Sequence, residues 1–372
     1  MILQKLTSTP KVLLHAFLIA TAASWCSGVA YADNPMLRKL AFYPVHETSC
    51  AATADDRLSD SCWTQAPVAT TYYEYWKSNP APSPLKTEFR MLYDARGIYL
   101  KITNFDDHLD KIRASIVRRD DPSLWTDDSA TLYFDPQANG VGFTSFTINS
   151  TGVVSDFKQQ DAAVKLNDWS GTDWHAVTHT DEKAWIIEAF FPWTDLGKKA
   201  SAGDVWMFDH VRYAFTSGKF VGSTWAAGGN YQNPSNFGYL YFVKNEKLSP
   251  ESVAKVLESA APAPWMLPLD TTVLVHPQPG EMQFTNADAM AKAHQASLQQ
   301  AIARAKDAAK NDAAAQKKLV VLEDKANAIS FQGSTEALGA VDEMAALQQQ
   351  IDQIYWQQKT NHLIENSVAA RQ

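Results

Sequence analysis

Between about residues 40 and 244 the chain is cut into short apolar runs of period two, each closed by a cluster of turn residues, with hardly any helical periodicity. This pattern constrains the fold more than any other feature. Phe89-Arg90-Met91-Leu92-Tyr93 and Ile98-Tyr99-Leu100-Lys101-Ile102-Thr103 flank Asp94-Ala95-Arg96-Gly97, a hairpin signal of two β-rich runs around a Gly-containing connection. Further runs lie at 130–134, 144–149, 153–157, 174–180, 185–191, 205–215 and 237–243, separated by turns such as Asp135-Pro136-Gln137-Ala138-Asn139-Gly140. Many short strands with recurrent turns predict a mainly β chain, an antiparallel β-sandwich of immunoglobulin-like or jelly-roll type.

Two further segments follow the strands. Pro250, Pro262, Pro264, Pro268, Pro277 and Pro279 crowd residues 245–284. Proline at that density predicts a linker or strap without a regular helix or central strand. From about Asn286 the composition turns to Ala, Gln, Lys and Glu, and Thr285 with Asp288 resembles a helix start. Met290, Ile302, Leu319, Leu322 and Ile329 mark one helix, and Gly333 interrupts. Ala337, Ala340, Met344, Leu347, Ile351 and Ile354 then alternate by three and four, as the seam of a coiled coil does. Residues 285–372 are therefore expected to form an α-helical hairpin. It would join a protein partner or a second copy through residues 285–366, or pack on its own sandwich.

At the other end, Lys5 and Lys11 precede or open the apolar stretch Val12–Ala23, and Ala30-Tyr31-Ala32 follows. These are the three parts of a Sec-type signal peptide over residues 1–32, which predicts a secreted or periplasmic protein. No later apolar run reaches the ~18 residues that a membrane-spanning helix needs. Cleavage would remove two lysines and no acid, taking the formal charge from −8 to −10. Cys26 would leave too, and Cys50 and Cys62 are expected to pair as a disulfide in an oxidising compartment. Closing so short a loop stabilises by roughly 2–3 kcal/mol in the chain-entropy model. The excess of 41 Asp+Glu over 33 Lys+Arg argues against a nucleic-acid binder, which needs a basic face to displace phosphate counterions.

Catalytic signatures are missing: there is no G-x-S-x-G, no Walker loop and no H-E-x-x-H. His175 and His179 share a strand face but would lie ~13 Å apart, too far to share a metal. No spacing picks out a carboxylate pair for glycoside hydrolysis. Two acidic clusters stand out: Asn104, Asp106, Asp107 and Asp110, then Asp120, Asp121, Asp127 and Asp128 around Trp125. Such loops either bind Ca²⁺ through several oxygens or are simply solvated acidic turns. The twelve Trp exceed what packing usually requires. An indole is either core or a ligand-stacking platform. Trp63, Trp185, Trp193 and Trp206 lie in or beside apolar runs and are assigned to the core.

Trp125-Thr126-Asp127-Asp128-Ser129, running into Ala130-Thr131-Leu132-Tyr133-Phe134-Asp135-Pro136, resembles the family 9 carbohydrate-binding modules. So do Leu58-Ser59-Asp60-Ser61-Cys62-Trp63, Leu92-Tyr93-Asp94 to Tyr99-Leu100, Trp185 to Pro192, and Pro234-Ser235-Asn236-Phe237-Gly238-Tyr239-Leu240, in the family's order. The resemblance covers roughly residues 42–244 and implies a secreted β-sandwich over 33–244. It also implies binding of xylan- or cellulose-type polysaccharide or oligosaccharide, in support of carbohydrate catabolism. Two aromatic rings of such modules sandwich a sugar. The first maps onto Trp125 and the second onto Tyr231, with Trp225 able to flank them and Trp174 a further candidate. The family's hydrogen-bonding Glu and Arg fall on Thr131 and Thr147, and Arg212 could compensate if it faces the cleft. Asp106, Asp107, Asp127 and Asp128 are the candidate calcium ligands. A related DOMON-like branch of the sandwich binds haem and transfers electrons, for which Met91, Met207, His175 and His210 are the available ligands. No C-x-x-C-H accompanies them, and haem is not the favoured reading.

Overall fold

The computed structural model describes residues 37–77, 80–269, 271–332 and 334–369. The expected signal peptide at 1–32, and Gly333, lie outside the described residues. Strands β2 (Phe42–Glu47), β3 (Tyr73–Glu74), β4 (Thr87–Tyr93), β5 (Gly97–Phe105), β6 (Ser129–Asp135), β7 (Phe143–Asn149) and β8 (Val154–Gln159) come first in one large sheet. It continues with β9 (Lys165–Leu166), β10 (His175–Thr180), β11 (Ala184–Pro192), β12 (Val205–Ala214), β13 (Val221–Thr224) and β14 (Gly238–Val243). The order is β10-β11-β5-β4-β2-β14-β12-β6-β7-β8-β9, with β13 on β12 and β3 on β13.

The sheet curls so that its two halves face each other, which is the expected sandwich. Phe134 of β6 meets Phe191 of β11 at 5.3 Å, and Phe89 of β4 meets Phe208 of β12 at 5.7 Å. Trp185, Trp193 and Trp206 are buried in this core as expected. Pairing is antiparallel except around β2, which runs parallel to both β14 and β4. The period-two pattern decides which residues turn inward. On β6, Ala130, Leu132 and Phe134 join the core while Thr131 and Tyr133 point to the other face. Cys50 and Cys62 form a disulfide, with Cα atoms 6.2 Å apart, and Cys62 and Trp63 pack on Leu92, Tyr99 and Phe190.

The segment 245–284, expected as a linker, instead carries a helix, α1 (Pro250–Ala260), and strands β15 (Trp265–Leu269), β16 (Thr272–Gln278) and β17 (Glu281–Asn286). Its prolines sit where no backbone N–H is needed. Pro250 is in the first turn of α1 behind the Ser249 cap, whose side chain accepts from the Ser252 N–H. Pro268 lies past the two residues of β15 that pair with β1 (Arg38–Lys39), and Pro277 sits in the irregular stretch of the β16–β17 pairing. The second sheet runs β1-β15-β16-β17. Trp265, Leu267 and Leu274 belong to the cluster that includes Tyr133, Met207 and Tyr239 of the sandwich. Met266, Val273 and Val275 belong to the cluster of the C-terminal helices. The small sheet is thus a middle layer.

Three helices, not a two-helix hairpin, form the last layer: α2 (Ala287–Ala308), α3 (Ala313–Ala328) and α4 (Ser334–Ala369). The extra break is set by Asp312, whose carboxylate caps α3 by accepting from the Ala314 and Ala315 N–H groups. The seam Ala337, Ala340, Met344, Leu347 and Ile351 is buried, and it packs in one cluster with Met290, Leu298, Ile302 and Leu319. Among the described residues no helix is long and apolar enough to cross a membrane.

Candidate functional site

Four large aromatic side chains stand out of the sandwich near one another: Trp125 (51% exposed), Trp76 (47%), Phe220 (46%) and Tyr231 (40%). They surround buried Tyr75 and Tyr213, whose hydroxyls hydrogen-bond each other at 3.4 Å. Ring centroids step from Trp125 to Tyr213 (6.2 Å), to Tyr75 (5.7 Å), to Trp76 (5.0 Å) and to Tyr231 (5.5 Å). Phe220 stacks on Tyr213 at 6.0 Å. Burial pushes the Tyr213 phenol up; the Tyr75 and Tyr133 hydroxyls oppose this, and Tyr231 adds to it. Trp125 and Tyr231 are thus the two ends of one run of rings through Tyr213, Tyr75 and Trp76.

The loops that carry Trp125 and Tyr231 are each held by a buried carboxylate. Trp125 lies in a single 3-10 turn, Leu124–Thr126, between buried Leu124 and buried Asp127. The Asp127 carboxylate accepts from the N–H groups of Ser115 and Ile116 (2.9 Å each), the Ser115 hydroxyl (2.9 Å) and the Asn149 amide (3.0 Å). Burial alone would raise this acid, but those donors hold it below the usual carboxylate range. Asp128 accepts from the N–H groups of Arg113 (2.7 Å) and Phe215 (2.9 Å). The loop that carries Tyr231 is held by Asp209, which accepts from the Ala226 N–H at 2.9 Å and the Thr224 hydroxyl at 2.7 Å. Gly228 has φ +76°, and a Cβ on Gly229 would lie 2.5 Å from the Asp209 carboxylate. The loop is pulled too close for a side chain there.

Of the sequence candidates, Trp125 and Tyr231 reach this face. Thr131 and Thr147 lie opposite each other on β6 and β7, their hydroxyls 2.9 Å apart and hydrogen-bonded. Trp225 does not reach the surface. It is 4% exposed, its ring 5.3 Å from Phe89 and 5.7 Å from Phe208, so it has no free face for a ligand. Trp174 is likewise core, its indole N–H donating to Asp156 at 2.7 Å. Arg212 points away from the site. It is fully buried on the core side of β12, donating to the Lys86 and Phe105 carbonyls and pairing with Asp106 at 2.9 Å. Three contributors were missed. Trp76 shows in sequence only as the end of the aromatic run Tyr72-Tyr73-Glu74-Tyr75-Trp76, and its φ of +65° is a backbone feature. Phe220 is a lone ring in the turn Ser217-Gly218-Lys219-Phe220, and Asp209 has no sequence mark at all.

The four candidate calcium ligands do not converge. Asp127 and Asp128 hold different segments, Asp106 is taken by Arg212 and the Thr216 hydroxyl, and Asp107 is exposed on its loop. Among the described residues no group of three or more His, Cys, Asp or Glu is placed to hold a metal ion. Asp106, Asp127 and Asp128 do not fit a calcium site, because their oxygens are already spent on N–H, hydroxyl and guanidinium donors. Exposed Asp107 has no group beside it, among the described residues, to complete one. The haem candidates are separated too. Met91 is in the sandwich core, Met207 is in the cluster on the other face, and His210 is buried with its Nδ1 2.5 Å from the Tyr72 hydroxyl. His175 lies on edge strand β10, 3.1 Å from the Asp55 carbonyl.

Comparison with known proteins gives one family. The model described as "Carbohydrate family 9 binding domain-like" matches residues 55–245. No curated protein matches the chain. Among solved structures, a family 9 carbohydrate-binding module from Caldicellulosiruptor kristjanssonii in complex with cellotriose aligns at 16% identity and TM-score 0.39. The alignment covers 56% of this chain and 98% of that one. The same organism's module in complex with glucose aligns at 16% identity and TM-score 0.39, covering 56% of this chain and 100% of that one.

Proposed function

The chain belongs to the carbohydrate family 9 binding domain-like family, and from that premise we propose that it is a non-catalytic carbohydrate-binding protein working through the Trp125–Trp76–Tyr231 face. The observation that carries this reading is the pairing of exposure with rigidity. Large rings left half in water cost burial free energy, of the order of 25 cal/mol per Å² of apolar surface. Here their loops are nonetheless pinned by the buried carboxylates of Asp127 and Asp209. A pyranose has a flat C–H face that an indole or phenol can cover, and loops fixed beforehand lose little entropy on binding. Thr131 is buried with its hydroxyl bonded to that of Thr147, so no charged fork stands there and stacking carries more of the affinity. The ligand we favour is a xylan- or cellulose-type chain or oligosaccharide, bound by an exported protein in support of carbohydrate catabolism. The leader-like sequence at 1–32 and the Cys50–Cys62 disulfide support export.

Titration with xylo- and cello-oligosaccharides, followed by Trp fluorescence, tests this. Wild type is expected to respond, and Trp125→Ala to lose the response while keeping its Tm. Trp225→Ala serves as the control, since deleting a core indole costs about 3–5 kcal/mol of stability. A panel in which no glycan changes the fluorescence would sink the reading. A second reading, self-association through residues 285–366, is favoured by exposed Trp356 (64%), Leu363 (70%) and Ile364 (56%) on α4. Unlike the sugar reading, it has no pre-shaped site to support it.

A further inference from the structure

Beside the aromatic face lies an open cavity of about 410 Å³ lined by Lys111, Arg113, Phe215, Thr216, Ser217 and Gly218. From it we infer that the protein prefers an acidic sugar, a uronate-bearing oligosaccharide whose carboxylate sits between Lys111 and Arg113 while its backbone lies on the rings. The inference rests on the carbohydrate reading above and adds the chemical class of the sugar.

Three observations lead there. First, these two cations are spare. Three arginines of the surrounding segments are occupied: Arg118 pairs with Asp121, Arg119 with Asp120 and Asp156, and Arg212 with Asp106. Among the described residues, Lys111 and Arg113 have no carboxylate within 4.0 Å. What sets the two apart is that they line one cavity together. Second, the cavity is held in shape. The Asp128 carboxylate ties the Arg113 and Phe215 N–H groups together (2.7 and 2.9 Å), and the Arg113 guanidinium lies over the Phe215 ring at 5.1 Å. The acids closest by do not cancel this charge. Asp106 is neutralised by Arg212, and burial pushes Asp128 above the usual carboxylate range. Asp110, next to Lys111, is exposed on its turn. Third, the cavity is continuous with the sugar face. Phe215 is 5.4 Å from Phe220, Phe220 stacks on Tyr213 at 6.0 Å, and Tyr213 is 6.2 Å from Trp125. Rings cover sugar faces, and a guanidinium fork matches a carboxylate in bidentate fashion.

The test is calorimetric titration of the full chain with three ligands: xylotetraose, the same backbone with one glucuronic acid branch, and that branched compound with its carboxyl reduced to the alcohol. The acid is expected to bind roughly fivefold or more tightly than either neutral compound at low salt, with the advantage fading at about 1 M salt as the Debye length contracts. Arg113→Gln and Lys111→Gln should each erase most of that advantage and leave xylotetraose binding and Tm unchanged. Equal affinity for the acid and its reduced form would overturn the acidic preference while leaving the sugar reading intact. A preference that survives both substitutions would overturn the cavity assignment. Failure of all three ligands to bind would remove both readings together.

Discussion

Trp125 and Trp225 show what a sequence can and cannot say about a single residue. Both are tryptophans beside turns in a β-rich region, yet one is half in water and the other is enclosed by Phe89 and Phe208. Neither local composition nor periodicity separates them. What does is the register of β12 and the course of the loop after β13. Trp125 was legible because it opens the stretch Trp125-Thr126-Asp127-Asp128 that carries the family resemblance, and those acids are the fixed points of the turn. Asp209 was not, since a lone Asp in an apolar run carries no mark of its partners. Burial raises its pKa to about 7, against the hydrogen bonds from Ala226 and Thr224. The sign follows from proton counting. With the native value above the unfolded one near 3.8, the native state binds more protons between those pH values. Its stabilising contribution is complete below about pH 4 and is lost as pH rises towards 7. Asp209→Asn should therefore flatten the pH dependence of the unfolding free energy across that interval, by at most about 1.4 kcal/mol per pH unit. An unchanged slope in the variant would show that Asp209 is ionised throughout.

At the scale of elements, the strands were readable because one buried face imposes period two, and all the runs marked from 89 to 243 are strands. The Pro-rich segment misled because proline density was weighed without position. Proline excludes only the backbone sites that must donate, and here it occupies a helix start, the part of β15 beyond its pairing with β1 and an irregular stretch of β16. The third helix was hidden for the converse reason. An Ala-rich run keeps helical propensity through a break, so the break shows only in the capping chemistry at Asp312. Asp312→Ala should cost about 1 kcal/mol, seen as a lower urea midpoint for the bundle with the m-value unchanged. The Gln358 amide also donates to this carboxylate at 2.8 Å, so the same change removes a tie between α3 and α4. A loss below about 0.3 kcal/mol would mean water replaces the cap at no cost.

For the molecule as a whole, the helices are not an appendage on a tether. The small sheet shares one face with the sandwich and the other with the bundle, so each layer completes the next. Deleting residues 287–372 would lay bare Met266, Val273 and Val275. The expected result is a chain that binds a hydrophobic dye and aggregates, while the same deletion with all three positions changed to Thr stays monomeric. A clean, soluble monomer from the plain deletion would contradict the shared core. The position of β1 has a further consequence, one of timing. Arg38 and Lys39, ahead of the sandwich in the chain, pair with Trp265 and Met266, which lie beyond its last strand. During synthesis this edge strand must wait, unmated, until the whole sandwich has been made. The sandwich is closed the way a belt is, by a tongue cut ahead of its strands and a buckle fitted after them. Severing the backbone after Val243 should therefore leave two pieces that travel together.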